Sequence, residues 1–378
     1  MDSPHSIARS DTAQRPSVSA VPEFLVQPDR RIDLRVFDQV LPLLATDVER
    51  IYGRCRLAPL TVRERLYSHL LRAGVWHDGD SGPREHLFVK VSKFKVVDGS
   101  PHGMRARVEK DFAVTQRVFD RMAHGESYSA VRPVACYPDH LAIVTEEVAG
   151  DTMLDLVQRQ IRWALDPSRP AALGSVLAAA GRWIRDFQEP VPGTFDGAWI
   201  RDYIDHRLQR IASVTGRRGE MLRDRVLRHI DRLTSRLGSD PIAAVSVHAD
   251  LTPSNMIVSG SRVVVLDFAM ARGGHPLQDV ARLFTQLDLL ALKPQFRRAA
   301  IGTLQQALLR GFDATLREED PAFRLQVLAQ RINHLGSLCT KQYGIVEGAY
   351  NRFVIWRHWR WIERETAAGK TEDAVTWD

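Results

Sequence analysis

The sequence is poor in cysteine, in long apolar runs and in blocks of like charge, and each scarcity removes a class of protein. Three cysteines, Cys55, Cys136 and Cys339, are scattered over 378 residues. They are odd in number and far apart, so they suit neither a disulfide framework nor a zinc motif and read as reduced thiols. No apolar stretch approaches the roughly 20 residues that span a bilayer. Residues 1–20 are polar and lack the apolar segment of a secretory signal. A cytoplasmic protein without a transmembrane segment is therefore expected. Lys and Arg number 52 against 46 Asp and Glu, for a formal net charge of +6. That excess is scattered, without the basic stripe or reader motif that a nucleic-acid partner requires, so no nucleic acid is expected. It reads as surface charge with a mild preference for anionic ligands such as nucleotide phosphates.

What is present fits two lobes, because 378 residues are long for a single core. Residues 1–30 are rich in Ser, Asp, Pro, Gln and Arg and read as a disordered tail. Residues 31–147 read as a small β lobe with one helix. A run over Arg65–Trp76, the turn-rich stretch His77–Pro83 and the apolar strand Leu87–Val91 predict a hairpin with a long loop. Met104–Met122 is helical, with Val108, Phe112, Thr115, Phe119 and Met122 at steps of three and four. Strands follow near Val134–Tyr137 and Leu141–Glu146. Residues 148–378 are mostly helical, apart from short β-branched runs at Ala243–Val247 and Val263–Leu266 flanking a loop.

That loop carries the chemistry. It reads His248-Ala249-Asp250-Leu251-Thr252-Pro253-Ser254-Asn255, and Asp267 follows the second strand. Phosphoryl transfer needs a carboxylate for the acceptor hydroxyl, oxygen ligands for Mg²⁺, and in-line placement of donor and acceptor. Asp250 with Asn255 five positions later puts a base and a metal ligand at the two ends of one loop. Asp267, after the next strand, closes a set of hard oxygen donors of the kind Mg²⁺ accepts. A polar turn with Asp250 and Asn255 as turn formers is the plainer reading of these residues taken singly. Their order, spacing and strand context favour the functional one.

With its H-x-D-x-x-x-x-N loop and following Asp, the chain resembles the aminoglycoside phosphotransferase and choline kinase-like branch of the protein-kinase-like fold. The resemblance implies an α+β bilobal fold: a small antiparallel β lobe with one helix that binds nucleotide (31–147), and a larger, mainly helical lobe with the catalytic loop and acceptor site (148–378). It implies Asp250 as catalytic base, Asn255 and Asp267 as metal ligands, and His248 and Asp279 as structural braces of the loop. It further implies ATP, or GTP, with Mg²⁺. Lys90, on the apolar strand Phe88-Val89-Lys90-Val91, would pair with Glu109 and reach the phosphates, with Lys93 as a rival. Backbone around Glu146 and Val148 would hold the base. Ala249 stands where protein kinases carry Arg, as in the small-molecule branch. No G-x-G-x-x-G loop is present, and Gly53–Pro59 is the nearest candidate for the phosphate cover.

The expected activity is phosphorylation of a hydroxyl on a small molecule, such as a sugar, an amino alcohol or an antibiotic-like metabolite. Two alternatives stand beside it. A protein kinase would need a long activation segment, and only twelve positions separate Asp267 from Asp279. A regulatory pseudokinase would have lost the base, a metal ligand or the Lys, and all are present. For the acceptor, Asn333-His334, Lys341-Gln342-Tyr343, Glu347 and the aromatic, Arg-rich stretch from Tyr350 to Arg364 are available. The mixed charge there favours a neutral or anionic acceptor over a polycation.

Overall fold

The computed structural model describes residues 34–65, 67–93, 101–162, 169–237, 240–293, 295–340 and 345–368. The tail expected over residues 1–30, the Lys341-Gln342-Tyr343 stretch and the Glu347 side chain lie outside this description. The described residues divide into two compact units. The first comprises residues up to Val108 together with Val134–Glu147, the second Glu109–Pro133 together with Val148 onward.

The chain begins with a 3-10 turn, Leu34–Phe37, and helix α1 (Val40–Tyr52), followed by strands β1 (Cys55–Glu64), β2 (Ser68–His77) and β3 (Glu85–Ser92). Helix α2 (Pro101–Met122) precedes β4 (Tyr128–Ala130), β5 (Pro133–Tyr137) and β6 (Ala142–Glu146). In the first unit five strands form a sheet in the order β1-β2-β3-β6-β5, with β1–β2, β2–β3 and β3–β6 antiparallel. Strand β3 alternates as a half-buried strand should, with Leu87, Val89 and Val91 buried and Phe88 and Lys90 on the other face. Val40, Leu44 and Val48, spaced four apart on α1, pack with Leu71, Val75, Leu87, Val89 and Val144 into the core of this unit.

Two expectations need correction here. Cys55–Pro59, the stretch nearest to a phosphate-covering loop in the sequence, is strand, paired with β2 from Cys55 opposite His77 onward. Helix α2 buries Val108, Thr115 and Met122 as expected but puts Asp111 and Val118 where Phe112 and Phe119 were expected. Val108, Asp111, Thr115, Val118 and Met122 are buried, while Phe112 and Phe119 are half-buried. The two phenylalanines suggested a stripe that the helix places at its margin.

The second unit continues with β7 (Asp151–Thr152), α3 (Met153–Gln160), α4 (Arg169–Phe187), β8 (Pro190–Phe195), α5 (Gly197–Thr215), α6 (Arg217–Leu237) and β9 (Ile242–Val247). A 3-10 turn, Pro253–Asn255, leads into β10 (Met256–Ser259), β11 (Arg262–Val265) and β12 (Arg272–Gly274). Helices α7 (Gln278–Leu290), α8 (Arg298–Phe312), α9 (Pro321–Cys339) and α10 (Ile345–Ala368) complete it. Two small sheets, β4-β11-β10-β7 and β12-β9-β8, carry the loops of interest. The main core gathers Trp183, Ile184 and Phe187 of α4 with Phe268, Val280, Leu283, Leu287, Leu304 and Leu308. Helices α4 and α8 cross closely at Gly311, where a Cβ would lie 2.1 Å from the carbonyl oxygen of Ala178. Among the described residues no helix is long and apolar enough to cross a membrane.

Candidate active site

Two loops build the site. The first, 248–255, leaves β9 and enters β10; the second, 266–271, leaves β11 and enters β12. Strand pairing ties them together at both ends. Strand β10 pairs with β11, Met256 opposite Val265, so the end of the first loop meets the start of the second. The backbone N–H of Leu266 accordingly donates to Asn255 O at 2.9 Å. Strand β12 returns to β9, Arg272 opposite Val247, so the end of the second loop meets the start of the first.

Beneath the first loop lies His248, fully buried. Its Nε2 is 3.0 Å from Leu266 O, and its Nδ1 accepts from the Asp250 N–H at 3.3 Å. A ring with its proton on Nε2 satisfies both contacts and links the two loops. The imidazole packs on Phe268, with centroids 5.1 Å apart, and edge-on to Trp183 at 6.2 Å. Trp183 in turn stacks on Phe187 at 4.9 Å. The hydroxyl of Ser246 donates to Phe187 O at 2.7 Å and accepts from Glu189 N at 2.9 Å, which fastens the end of α4 to β9.

Asp279, in the first turn of α7, has no exposed surface. One carboxylate oxygen accepts from His248 N at 2.6 Å and the other from Ala249 N at 2.9 Å. Burial pushes its carboxyl above the usual carboxylate range, opposed by His248, by the two backbone bonds and by Arg282. To offer both amides to one carboxylate, the loop turns at Ala249, which takes φ 62°. Asp267 is likewise left-handed at φ 65°. A side chain pays a steric cost in that region, and such positions cluster where backbone placement matters.

Asp250 keeps 43 % of its side chain exposed, and its Oδ1 accepts from the guanidinium of Arg282, three residues beyond Asp279 on α7. The Asn255 amide donates to Asp250 O at 3.0 Å, which leaves its own carbonyl oxygen available as a ligand. That oxygen and the carboxylate of Asp267, one residue past the partner of Asn255, form a hard oxygen pair of the kind Mg²⁺ selects. These residues fit a magnesium ion, which would supply positive charge against bound phosphates there.

The structure thus gathers His248, Asp250, Asn255, Asp267 and Asp279 in one place in the second unit. Val148, half-buried, and Glu109, exposed on α2, also belong to that unit. Lys90, half-buried on β3, and Glu146, at the end of β6, belong to the first. Glu146 accepts from the Tyr52 hydroxyl at 2.7 Å. Two residues escaped the sequence reading. Arg282 lies one helical turn from Asp279, but no sequence signal marks its contact with Asp250, 32 residues away. Asp111 is the carboxylate that α2 buries, with 6 % exposure, whereas Glu109 faces water.

Comparison with known proteins identifies the family and the fold. Residues 116–332, more than half of the chain, match the APH family, described as the phosphotransferase enzyme family. Among solved structures the chain is similar to a choline/ethanolamine kinase family protein from Mesorhizobium loti (TM-score 0.52, 17% identity, covering 88% of this chain and 92% of that one). It is also similar to an amicoumacin kinase in complex with AMP-PNP, Ca²⁺ and its ligand (TM-score 0.50, 16% identity, covering 81% and 88%). At these identities the two establish the protein-kinase-like fold alone. No curated protein sequence matches the chain. The match over 116–332 settles its membership: the chain belongs to the phosphotransferase enzyme family and is a phosphotransferase with an alcohol group as acceptor.

Proposed function

We propose that the protein is a small-molecule kinase that transfers the γ-phosphoryl group of ATP to a hydroxyl held at Asp250. The observation that carries this reading is the crosswise tying of the two loops, which sets the exposed Asp250 carboxylate and the oxygens of Asn255 and Asp267 on adjoining backbone. Asp250 orients the acceptor hydroxyl and takes up its proton as the oxygen attacks. Asn255 and Asp267 hold Mg²⁺, which when bound neutralises charge on the transferring phosphates. His248 and Asp279 touch no reacting atom in this scheme; they fix the backbone from which Asp250 projects. Lys90, Glu146 and Val148 enter it as nucleotide contacts. The amicoumacin kinase holds an ATP analogue, which is in keeping with ATP as the donor.

The acceptor is a sugar, an amino alcohol or an antibiotic-like metabolite. The short run from Asp267 to Asp279 disfavours a protein substrate. A metabolite library screened for ADP release identifies the acceptor. Asp250→Asn is then expected to lower kcat by about 10²–10⁴-fold with little change in ATP affinity. Near-normal transfer by that variant rules out the assigned base.

A further inference from the structure

Helices α7, α8, α9 and α10 line a cavity of about 480 Å³ in the second unit. That volume is in the range of small-molecule sites. Arg282 is not among its lining residues; α7 contributes Phe284 and Asp288 instead. Apolar wall comes from Phe284, Leu292, Ile301, Val327 and Trp361.

The charges that line it fall into two groups. Arg324 binds Glu365 through two bonds of 2.7 and 2.8 Å, and the buried Arg331 pairs with Asp288, so these four offset one another. The Arg331 guanidinium also lies over Trp361, 4.1 Å from the ring centroid, and holds that ring in place. Three guanidinium groups remain, those of Arg298, Arg357 and Arg364, along with two carboxylates, Glu318 and Glu319. None of the five forms a hydrogen bond or ion pair among the described residues.

Three features favour an anion over a cation here. The leftover charges carry a surplus of one positive. Arg357 is half-buried and therefore gains most from a partner; Arg298, Arg364 and both carboxylates are exposed, although burial still raises the Glu318 carboxyl. Arg357, Trp361 and Arg364 also share one face of α10, at spacings of four and three, so two cations flank an aromatic ring. Arg298 adds a third cation at the start of α8, an end with no side-chain cap and a positive dipole.

We propose that this cavity is a ligand site for a small organic anion, a phosphate or carboxylate joined to an apolar body. Arg357 and Arg364 hold the anionic group, and Trp361 with Phe284 holds the body. No residue of the loops around Asp250 lines the cavity, so Arg357, Trp361 and Arg364, expected from the sequence to serve the acceptor, are assigned to this second site instead.

The test is isothermal titration of the full chain with phenyl phosphate and with benzylamine, each with and without saturating AMP-PNP and Mg²⁺. Phenyl phosphate is expected to bind saturably with and without the nucleotide, and benzylamine at least about tenfold more weakly. Arg357→Gln combined with Arg364→Gln is expected to weaken phenyl phosphate by about tenfold or more while AMP-PNP binding is retained. Benzylamine binding as tightly as phenyl phosphate overturns the proposal, as does the absence of saturable binding or a double variant that binds like wild type. The comparison of probe charge needs only the wild-type chain, so a poorly folded variant does not blunt the test. Failure of the kinase reading appears separately, as the absence of ADP release across the acceptor screen.

Discussion

Arg282 donates a hydrogen bond to Oδ1 of Asp250 from the turn of α7 that follows Asp279. One helix thereby grips the first loop twice, at the backbone of His248 and Ala249 and at the side chain of Asp250. A carboxylate that remains partly exposed on a loop is free to rotate unless something holds it, and here the guanidinium does.

Arg282→Gln is therefore expected to lower kcat by roughly ten- to a hundredfold through misplacement of Asp250, with the KM for ATP little changed. Arg282→Lys should recover part of the loss. Steady-state kinetics on both variants checks this, and an unchanged kcat in the Gln variant excludes a positioning role.

Asp279→Asn keeps the volume but exchanges one accepting oxygen for an amide nitrogen. One of the two buried N–H groups, at His248 or Ala249, then loses its partner, at a cost of about 1–3 kcal/mol. Urea unfolding should show that loss as a lower midpoint at an unchanged slope, together with a reduced kcat.

Ala249 occupies left-handed backbone at φ 62°. Ala249→Gly is expected to be neutral or stabilising by up to about 1 kcal/mol, since glycine enters that region without steric cost. Ala249→Val should destabilise by roughly 1–3 kcal/mol, because branching at Cβ adds to the strain. The thermal midpoint of the Gly variant should exceed that of the Val variant by several degrees; a Val variant as stable as the Gly variant would exclude the strain.

Burial holds the His275 imidazole down at about 4, against 6.5 for a free histidine. Its Nδ1 accepts from Leu277 N at 3.1 Å, a bond that protonation at that atom breaks. As pH falls through 6.5 the unfolded chain takes up the proton first, so His275 withdraws stability progressively from about pH 6.5 to about pH 4 and no further below that. The total is roughly 3 kcal/mol. Unfolding free energies measured across that window should slope less in His275→Gln than in wild type; equal slopes would disprove the assignment.

The parts of this fold that were legible in the sequence are those where local pattern and tertiary role coincide. Strand β3 alternates cleanly, and the His248–Asn255 loop announces itself because several polar residues of fixed spacing follow a β-branched strand. Strand β1 was harder to see: none of its residues is buried and Pro59 interrupts its register with β2. In α2 the two phenylalanines outweighed Asp111, since a buried carboxylate carries no apolar signal. The pairing of β9 with β12, on the side away from β8, was also hidden, because the partner is the glycine-rich Arg272–Gly274. Arg282 fell outside every motif, and its role depends on a contact across 32 residues that spacing alone does not encode.

The hairpin of β10 and β11 acts as a ruler for the metal ligands. Because ladder register sets Asn255 beside Leu266, next to Asp267, the count of residues separating the two ligands along the chain is immaterial to their alignment. Evolution is free to lengthen both strands in step, or to rebuild the tight reversal at Gly260, without disturbing the chemistry. A single residue added to one strand alone would shift the two ligands out of line.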